Sequence, residues 1–102
     1  MKEVILAQGD VYLLKVSIPA KAKLVTTTNV IAKGEATGHA HTAEGDVEIY
    51  ERNGTMYLRV GPIGGTIQHQ EHELVTLTPG DYEIGIVQEY DYFAEEARRV
   101  QD

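Results

Sequence analysis

The sequence predicts an all-β fold, a small β-barrel or sandwich with a short C-terminal helix, built as a single domain over residues 1–102. Short runs of β-branched, aromatic and aliphatic residues follow one another, and Gly, Pro, Asn and Asp separate them. One Asn-Gly dipeptide lies between two alternating segments, which indicates a tight hairpin. Seven or eight short strands in a chain of this length are typical of a compact barrel or sandwich.

The sequence of the first third of the chain predicts three strands and the connections between them. Residues 10–18 are rich in strand-forming side chains and follow a turn at Gln8-Gly9. Residues 19–23 begin with Pro19 and favour a loop. Further strands are expected over residues 24–28 and 30–35, joined near Asn29.

The clearest local prediction is the hairpin around Asn53-Gly54, because this dipeptide suits a two-residue type I′ turn with positive φ at both positions. The turn sets the register of the two strands. One face then carries apolar pairs, and the other carries a charge pair beside an aromatic pair. The predicted pairs are Val47 with Val60, Ile49 with Leu58, Glu51 with Met56, Glu48 with Arg59, and Tyr50 with Tyr57.

The remaining segments predict a short strand, a second hairpin and a helix. The short strand runs from Gly64-Gly65 to Gln68, and the hairpin joins residues 73–78 to residues 81–90 around Pro79-Gly80. Residues 91–101 are expected to form the C-terminal helix, with acidic residues early and basic residues late. Three apolar residues recur there at helical spacing: Phe93, Ala97 and Val100.

All four histidines lie in two close pairs, His39 with His41 and His69 with His72. A neutral imidazole is the commonest protein ligand for transition metals, because its ring nitrogen is a good donor at neutral pH. In a strand, residues two apart point to the same face, so His39 and His41 are expected to project side by side. The clustering therefore predicts a metal site.

The second pair needs a turn to approach the first. We expect one of His69 and His72 to converge on His39 and His41, while the other faces outward. Glu44 is a candidate for an oxygen ligand or for a hydrogen bond that orients one ring. Three histidines with a carboxylate or water suit Zn, Mn, Fe, Ni or Cu, and the residues do not separate these ions. The alternative interpretation makes the imidazoles surface or interface groups, for example a pH-responsive contact.

Composition excludes several classes of function. Without cysteine, the chain has no Cys zinc finger, iron–sulfur cluster, thiol nucleophile or disulfide. Ser17 is the only serine, far in sequence from any histidine, and no phosphate loop is present. We therefore expect no nucleotide cofactor, and any enzyme activity would be metal-dependent.

Charge and hydropathy limit the partners. The net charge of −7 disfavours nucleic-acid binding, although all five lysines lie within the first 33 residues, where they suit an acidic partner. No stretch is apolar and long enough for a signal peptide or a membrane span. We expect a cytoplasmic protein without a membrane partner or, for a phage-encoded chain, a component of the phage particle.

The segment from Gly34 to Gly54 resembles the first cupin motif, in which a glycine precedes an H-x-H pair, a glutamate and a further glycine. Cupins hold a metal inside a small β-barrel through these side chains and a later histidine. The resemblance implies the ligands His39, His41 and Glu44, with His69 or His72 as the fourth. The whole chain also resembles small uncharacterised bacterial and phage proteins, in its Q-G-D-V, G-H-A-H, H-x-x-H and P-G-D-Y motifs.

These observations favour a small metal-binding β domain, used for metal-dependent chemistry or for binding a small ligand. The alternative is a non-enzymatic subunit that forms rings or decorates a particle such as a phage capsid. A third interpretation is an acidic module that binds a partner protein. A homo-oligomer or a larger protein assembly is expected.

Overall fold

The structure is a computed structural model that describes residues 4–33 and 39–86, and this part of the chain is all-β, as predicted. All eight strands belong to one antiparallel sheet. They are β1 (Val4–Gln8), β2 (Val11–Lys15), β3 (Lys23–Val25), β4 (Val30–Lys33), β5 (Ala40–Arg52), β6 (Thr55–His69), β7 (His72–Leu77) and β8 (Gly80–Ile86). The described part contains no helix, and therefore none that could cross a membrane.

The long hairpin of β5 and β6 is the axis of the sheet. Asn53 and Gly54 form its turn with φ of 52° and 82°, the positive values that a type I′ turn requires. The predicted register is confirmed in all five pairs, from Val47 opposite Val60 to Glu51 opposite Met56. Turn chemistry and the apolar face thus agree on a single pairing.

Each long strand has two shorter strands along its outer side. β3 and β4 both pair with β5, while β7 and β8 both pair with β6. The order across the sheet is β1-β2-β8-β6-β5-β3. The prediction of a second hairpin around Pro79-Gly80 is therefore wrong. β7 and β8 follow each other along the same side of β6, because each forms its ladder with β6.

A bulge divides the long hairpin into two halves. Between Gly45–Gly65 and Val47–Val60, β5 contributes one residue and β6 contributes four, residues 61–64. The Asp46 carboxylate accepts a hydrogen bond from the backbone N–H of Ile63 at 3.2 Å, which stabilises the extra residues. The strand predicted to start at Gly64-Gly65 is in fact the continuation of β6 beyond this bulge.

The sheet curves around one hydrophobic core. Residues of β4 and β7 pack in the same cluster as residues of β2 and β8, which are distant along the sheet, so the two halves must face each other. The buried members are Val11, Leu13, Ile31, Ala43, Ile49, Leu58, Val60, Ile67, Leu77, Tyr82 and Ile84. A smaller cluster around Tyr12 and Leu14 covers the other face of β2.

The sheet is open and not a closed barrel, so of the predicted barrel or sandwich the barrel is wrong. Within the described residues no backbone ladder joins β1 to β7, although the two strands approach each other. The side chain of Gln8 connects them instead, because its amide donates a hydrogen bond to the Glu73 carbonyl of β7 at 2.8 Å. The helix predicted over residues 91–101 lies outside the described residues.

Candidate metal centre

The structure brings all four histidines together where β5 begins and β6 meets β7. We call His39, His41, His69 and His72 the histidine cluster. The ring centroids of His41 and His69 are 4.3 Å apart, and those of His69 and His72 are 4.7 Å apart. The His39–His69 and His41–His72 separations are 5.7 and 6.0 Å. Both histidines of the second pair have rings near His41, so the expectation that only one of them approaches it is not met, but His72 is exposed to solvent, as one of the two was expected to be.

The strand register explains this convergence. His69 and His72 face each other across the short turn between β6 and β7. Beyond the bulge, Thr42 lies opposite Gln68, so the same register continued by one residue places His69 opposite His41. If the register set by the Asn53-Gly54 turn continued without the three-residue shift at the bulge, Thr66 would lie opposite His41. The bulge is therefore what aligns the two histidine pairs.

His41 is the buried member of the histidine cluster, with 5% of its surface exposed. Its Nδ1 lies 2.8 Å from Oε1 of Gln8, which is itself 3% exposed. The Gln8 amide nitrogen donates to two backbone carbonyls, of Ile67 at 2.9 Å and of Glu73 at 2.8 Å. Since both amide hydrogens are used, Gln8 Oε1 must accept, and His41 Nδ1 must donate. The lone pair of neutral His41 is therefore on Nε2.

Gly9 makes room for the cluster at the β1–β2 turn. A Cβ atom at this position would lie 2.5 Å from His72 Nε2 and 3.2 Å from His41 Cε1. Gly9 also has a φ of 56°, in the left-handed region that glycine adopts without strain. A larger side chain would thus displace the His72 ring.

Electrostatics keep His41 neutral at physiological pH. Burial lowers the pKa of His41 to about 4, and repulsion from His69 and His72 acts in the same direction, while Asp10 opposes it. The pKa of His69 is also lowered, by burial and by the neighbouring His72 and His39, against the effect of Glu71. Neutral imidazoles are the form that binds metal ions.

The turn between β6 and β7 holds the other rings. His69 Nδ1 accepts a hydrogen bond from the backbone N–H of Glu71 at 3.0 Å. His39 Nδ1 lies 3.1 Å from the Glu71 carboxylate, and Gln70 Oε1 accepts from the backbone N–H of Ala40 at 3.0 Å. As these rings stand, no group of three metal-binding side chains among residues 4–33 and 39–86 is arranged around one point.

Glu44 lies apart from the histidine cluster. It is three residues from His41 in the same strand, and such residues point to opposite faces of a sheet. Its carboxylate accepts a hydrogen bond from the Asn29 side chain at 2.5 Å. The structure thus joins the four histidines and leaves Glu44 on the other face of β5.

Sequence reasoning missed three residues of this site, Gln8, Gly9 and Asp10, although it noted the Q-G-D-V motif that contains them. One signal was available for Gln8. It is the polar residue at the end of an otherwise apolar strand, on the face shared with Leu6, which packs against the core. A polar side chain at an inward position requires hydrogen-bond partners, and these lie in β5, β6 and β7.

Two clefts reach the histidine cluster from solvent. One, of about 220 Å³, lies beside His69, and the other, of about 360 Å³, lies between β1 and β7 beside His72. The first is lined by Ala40, Thr42, Gln68, His69 and Gln70. The second is lined by Ala7, Gln8, Gly9, Glu71, His72, Glu73, Leu74 and Val75. An ion and a small ligand can therefore approach the imidazoles.

Comparison with known families assigns the chain to one of them. Residues 7–87 match the model of a family described as a domain of unknown function, DUF8820, and the chain belongs to this family. No curated protein and no solved structure matches the chain. The family description names no activity, so a function has to be argued from the site.

Proposed function

We propose that this member of the DUF8820 family binds one divalent transition-metal ion at the histidine cluster, for metal-dependent chemistry or for binding a small ligand. The observation that carries the proposal is the convergence of four imidazoles, one of them the buried His41 whose Nδ1 is bonded to Gln8. A histidine ligand ordinarily donates its second ring N–H to a carbonyl or carboxylate oxygen. Gln8 Oε1 supplies such an oxygen.

The ring spacing supports a single ion. Two imidazoles bound to one tetrahedral zinc through nitrogens at about 2.0–2.1 Å have centroids roughly 5 Å apart. The three separations among His41, His69 and His72 run from 4.3 to 6.0 Å, on either side of that value. Binding would require the partly exposed rings to rotate about their side-chain bonds until their nitrogens meet, and His69 would have to give up the hydrogen bond that its Nδ1 accepts from Glu71.

The donor set favours particular metals. Imidazole nitrogen suits Zn, Cu, Ni and Fe, whereas Mg and Ca prefer oxygen ligands. With three histidines bound, a fourth position remains for water or for a small ligand entering from either cleft. Glu44 is not among the proposed ligands, because its carboxylate is bonded to Asn29 on the other face of β5. The resemblance to cupins is thus one of donor type, in an open sheet.

Metal content tests the proposal directly. We expect protein purified without a His-tag to retain, or to take up, one zinc, manganese, iron, nickel or copper ion per chain, measured by elemental analysis and native mass spectrometry. His41→Ala should abolish stoichiometric binding while the far-UV circular dichroism is retained. Ile49→Val is the matched control, since it loosens the same strand in the other half of the sheet. No uptake of any of these ions by the folded wild-type protein would refute the proposal.

A second candidate function is a subunit of an assembly, including a phage particle. The observation that bears on it is Ile63, which is 90% exposed on the bulge of β6, since burying this side chain against a protein partner would be favourable. Under this proposal, native mass should show a large uniform species, and Ile63→Asp should dissociate it. A monomer in both proteins would refute it.

A further inference from the structure

We propose that Gln8 is a positioning residue that fixes the tautomer of His41 and thereby keeps the lone pair of the neutral ring on Nε2, the nitrogen that an ion would bind. The tautomer assignment stands on the hydrogen bonds alone. Only its consequence for metal affinity rests on the proposed function. Gln8 would not itself contact an ion, because its Oε1 is bonded to His41 Nδ1.

The orientation of the Gln8 amide is determined by its surroundings. Its nitrogen faces two carbonyl oxygens, of Ile67 and Glu73, at 2.9 and 2.8 Å. If the amide were rotated by half a turn, Oε1 would face these two acceptors and the nitrogen would face His41. Two oxygen–oxygen contacts without hydrogen would replace two hydrogen bonds, which is unfavourable for a buried group.

Gln8 is held in this position by hydrogen bonds to three other strands. Its backbone belongs to β1, and its amide is bonded to carbonyls of β6 and β7 and to a side chain of β5. The amide also bridges the gap where no ladder joins β1 to β7 in the described part of the chain. His41 is consequently oriented by a group that cannot turn without breaking contacts to other strands.

Replacements of Gln8 should act on His41 in a predictable way. Methionine matches the length of glutamine but provides no acceptor for His41 Nδ1, so the preference for the Nδ1–H tautomer should disappear. Glutamate provides the acceptor but, when ionised, has no hydrogen for the Ile67 and Glu73 carbonyls. It should therefore be expelled from its position, with the same result for His41.

Gln70 offers a matched control. It is another glutamine beside the histidine cluster, and its Oε1 accepts from the backbone of Ala40 and not from a histidine. Gln70→Met therefore removes a glutamine amide near the cluster without removing the acceptor of His41. A general disturbance of the site would affect both variants, whereas the positioning role is specific to Gln8.

The decisive measurement is the ring ¹⁵N spectrum of the metal-free wild-type protein above pH 7, with His41 assigned by its absence from His41→Gln. We expect a protonated Nδ1 and an unprotonated Nε2 for His41, unchanged in Gln70→Met and lost in Gln8→Met. A protonated Nε2 in the wild-type protein would overturn the inference, even if Gln8→Met failed to fold. Retention of the Nδ1–H tautomer in folded Gln8→Met would overturn it too.

Zinc titration separates this inference from the proposed function. Loss of an orienting hydrogen bond typically weakens metal affinity by about 10–100-fold, so Gln8→Met should bind zinc that much more weakly than the wild-type protein, and also more weakly than Gln70→Met, which keeps the acceptor of His41. If the tautomer is as expected but the wild-type protein takes up no zinc, manganese, iron, nickel or copper, the proposed function fails and the positioning role stands. If zinc binds and the tautomer is the opposite one, the positioning role fails alone.

Discussion

The two halves of the long β5–β6 hairpin bury different kinds of side chain. The half next to the Asn53-Gly54 turn, which we call the turn half, is apolar inside, with Ile49, Leu58 and Val60 in the core. The half beyond the bulge, the histidine half, places Ala43 and Ile67 in the same core but also buries His41, which is bonded to Gln8 of β1. The same two strands thus provide a purely apolar interior at one end and a mixed apolar and hydrogen-bonded interior at the other. We therefore expect changes inside the turn half to affect stability alone, and changes at His41 or Gln8 to affect the histidine cluster as well.

The largest expected effect is the loss of core packing in the turn half. Ile49 is 3% exposed, so Ile49→Ala leaves a cavity and should lower the free energy of unfolding by about 2–5 kcal/mol. Zinc affinity of the folded fraction should be unchanged, because the histidine half is separated from Ile49 by the bulge. Urea denaturation and zinc titration check both statements. A neutral Ile49→Ala would show that the turn half is not the stabilising region.

Acid should destabilise the protein through the histidine half. The pKa of His41 is about 4 in the folded state, against about 6.5 for a histidine in an unfolded chain, so protons bind the unfolded state better. The free energy of unfolding should be highest above pH 6.5. It should fall by at most about 3 kcal/mol as the pH drops from 6.5 to 4.

Urea denaturation of metal-free protein across this pH range checks the prediction. In His41→Gln the decline between pH 6.5 and pH 4 should be shallower, because the group with the lowered pKa is gone. An equal decline in the two proteins would mean that other titrating groups cause it.

Two glycines provide a matched pair across the halves. Gly9 and Gly54 both have positive φ, but an added Cβ meets His72 at Gly9 and nothing within 4 Å at Gly54. Gly54→Ala should therefore show only backbone strain, roughly 1–2 kcal/mol, with zinc affinity unchanged. Gly9→Ala should cost at least as much and should also weaken zinc binding. Equal zinc affinity in the two variants would show that His72 is not a ligand.

The smallest effect is expected on the solvent face of the turn half. Arg59 forms two hydrogen bonds with the Asp81 carboxylate, at 3.0 and 3.4 Å, and lies 5.2 Å from the ring centroid of Tyr50. Exposed ion pairs contribute little, so Asp81→Asn should lower stability by less than about 1 kcal/mol, and less still in high salt. Thermal unfolding at two salt concentrations tests this. A loss of stability as large as that caused by Ile49→Ala would show that the solvent face of the turn half contributes as much stability as its core face.

Predictions from sequence succeeded where the determining interactions are local. The Asn53-Gly54 turn and the alternation of Val47, Ile49 and Glu51 predicted the register of the turn half, and the structure confirms it. The prediction failed at Pro79-Gly80, because whether two successive strands pair with each other or with a third depends on distant β6. It also failed to find Gln8, whose partners are 33 to 65 residues away in sequence.

The sequence by itself determined the all-β class, the tight hairpin and the identity of the four candidate histidines, because alternation, turn chemistry and residue type act over a few residues. Only the tertiary structure decided that both histidine pairs meet, that Glu44 lies on the other face, and that the sheet stays open. Residues 61–64 of the bulge shift the register between β5 and β6, so that His41 lies opposite His69. Gln8 then bridges the open edge through side-chain hydrogen bonds to strands that only long-range packing brings beside it.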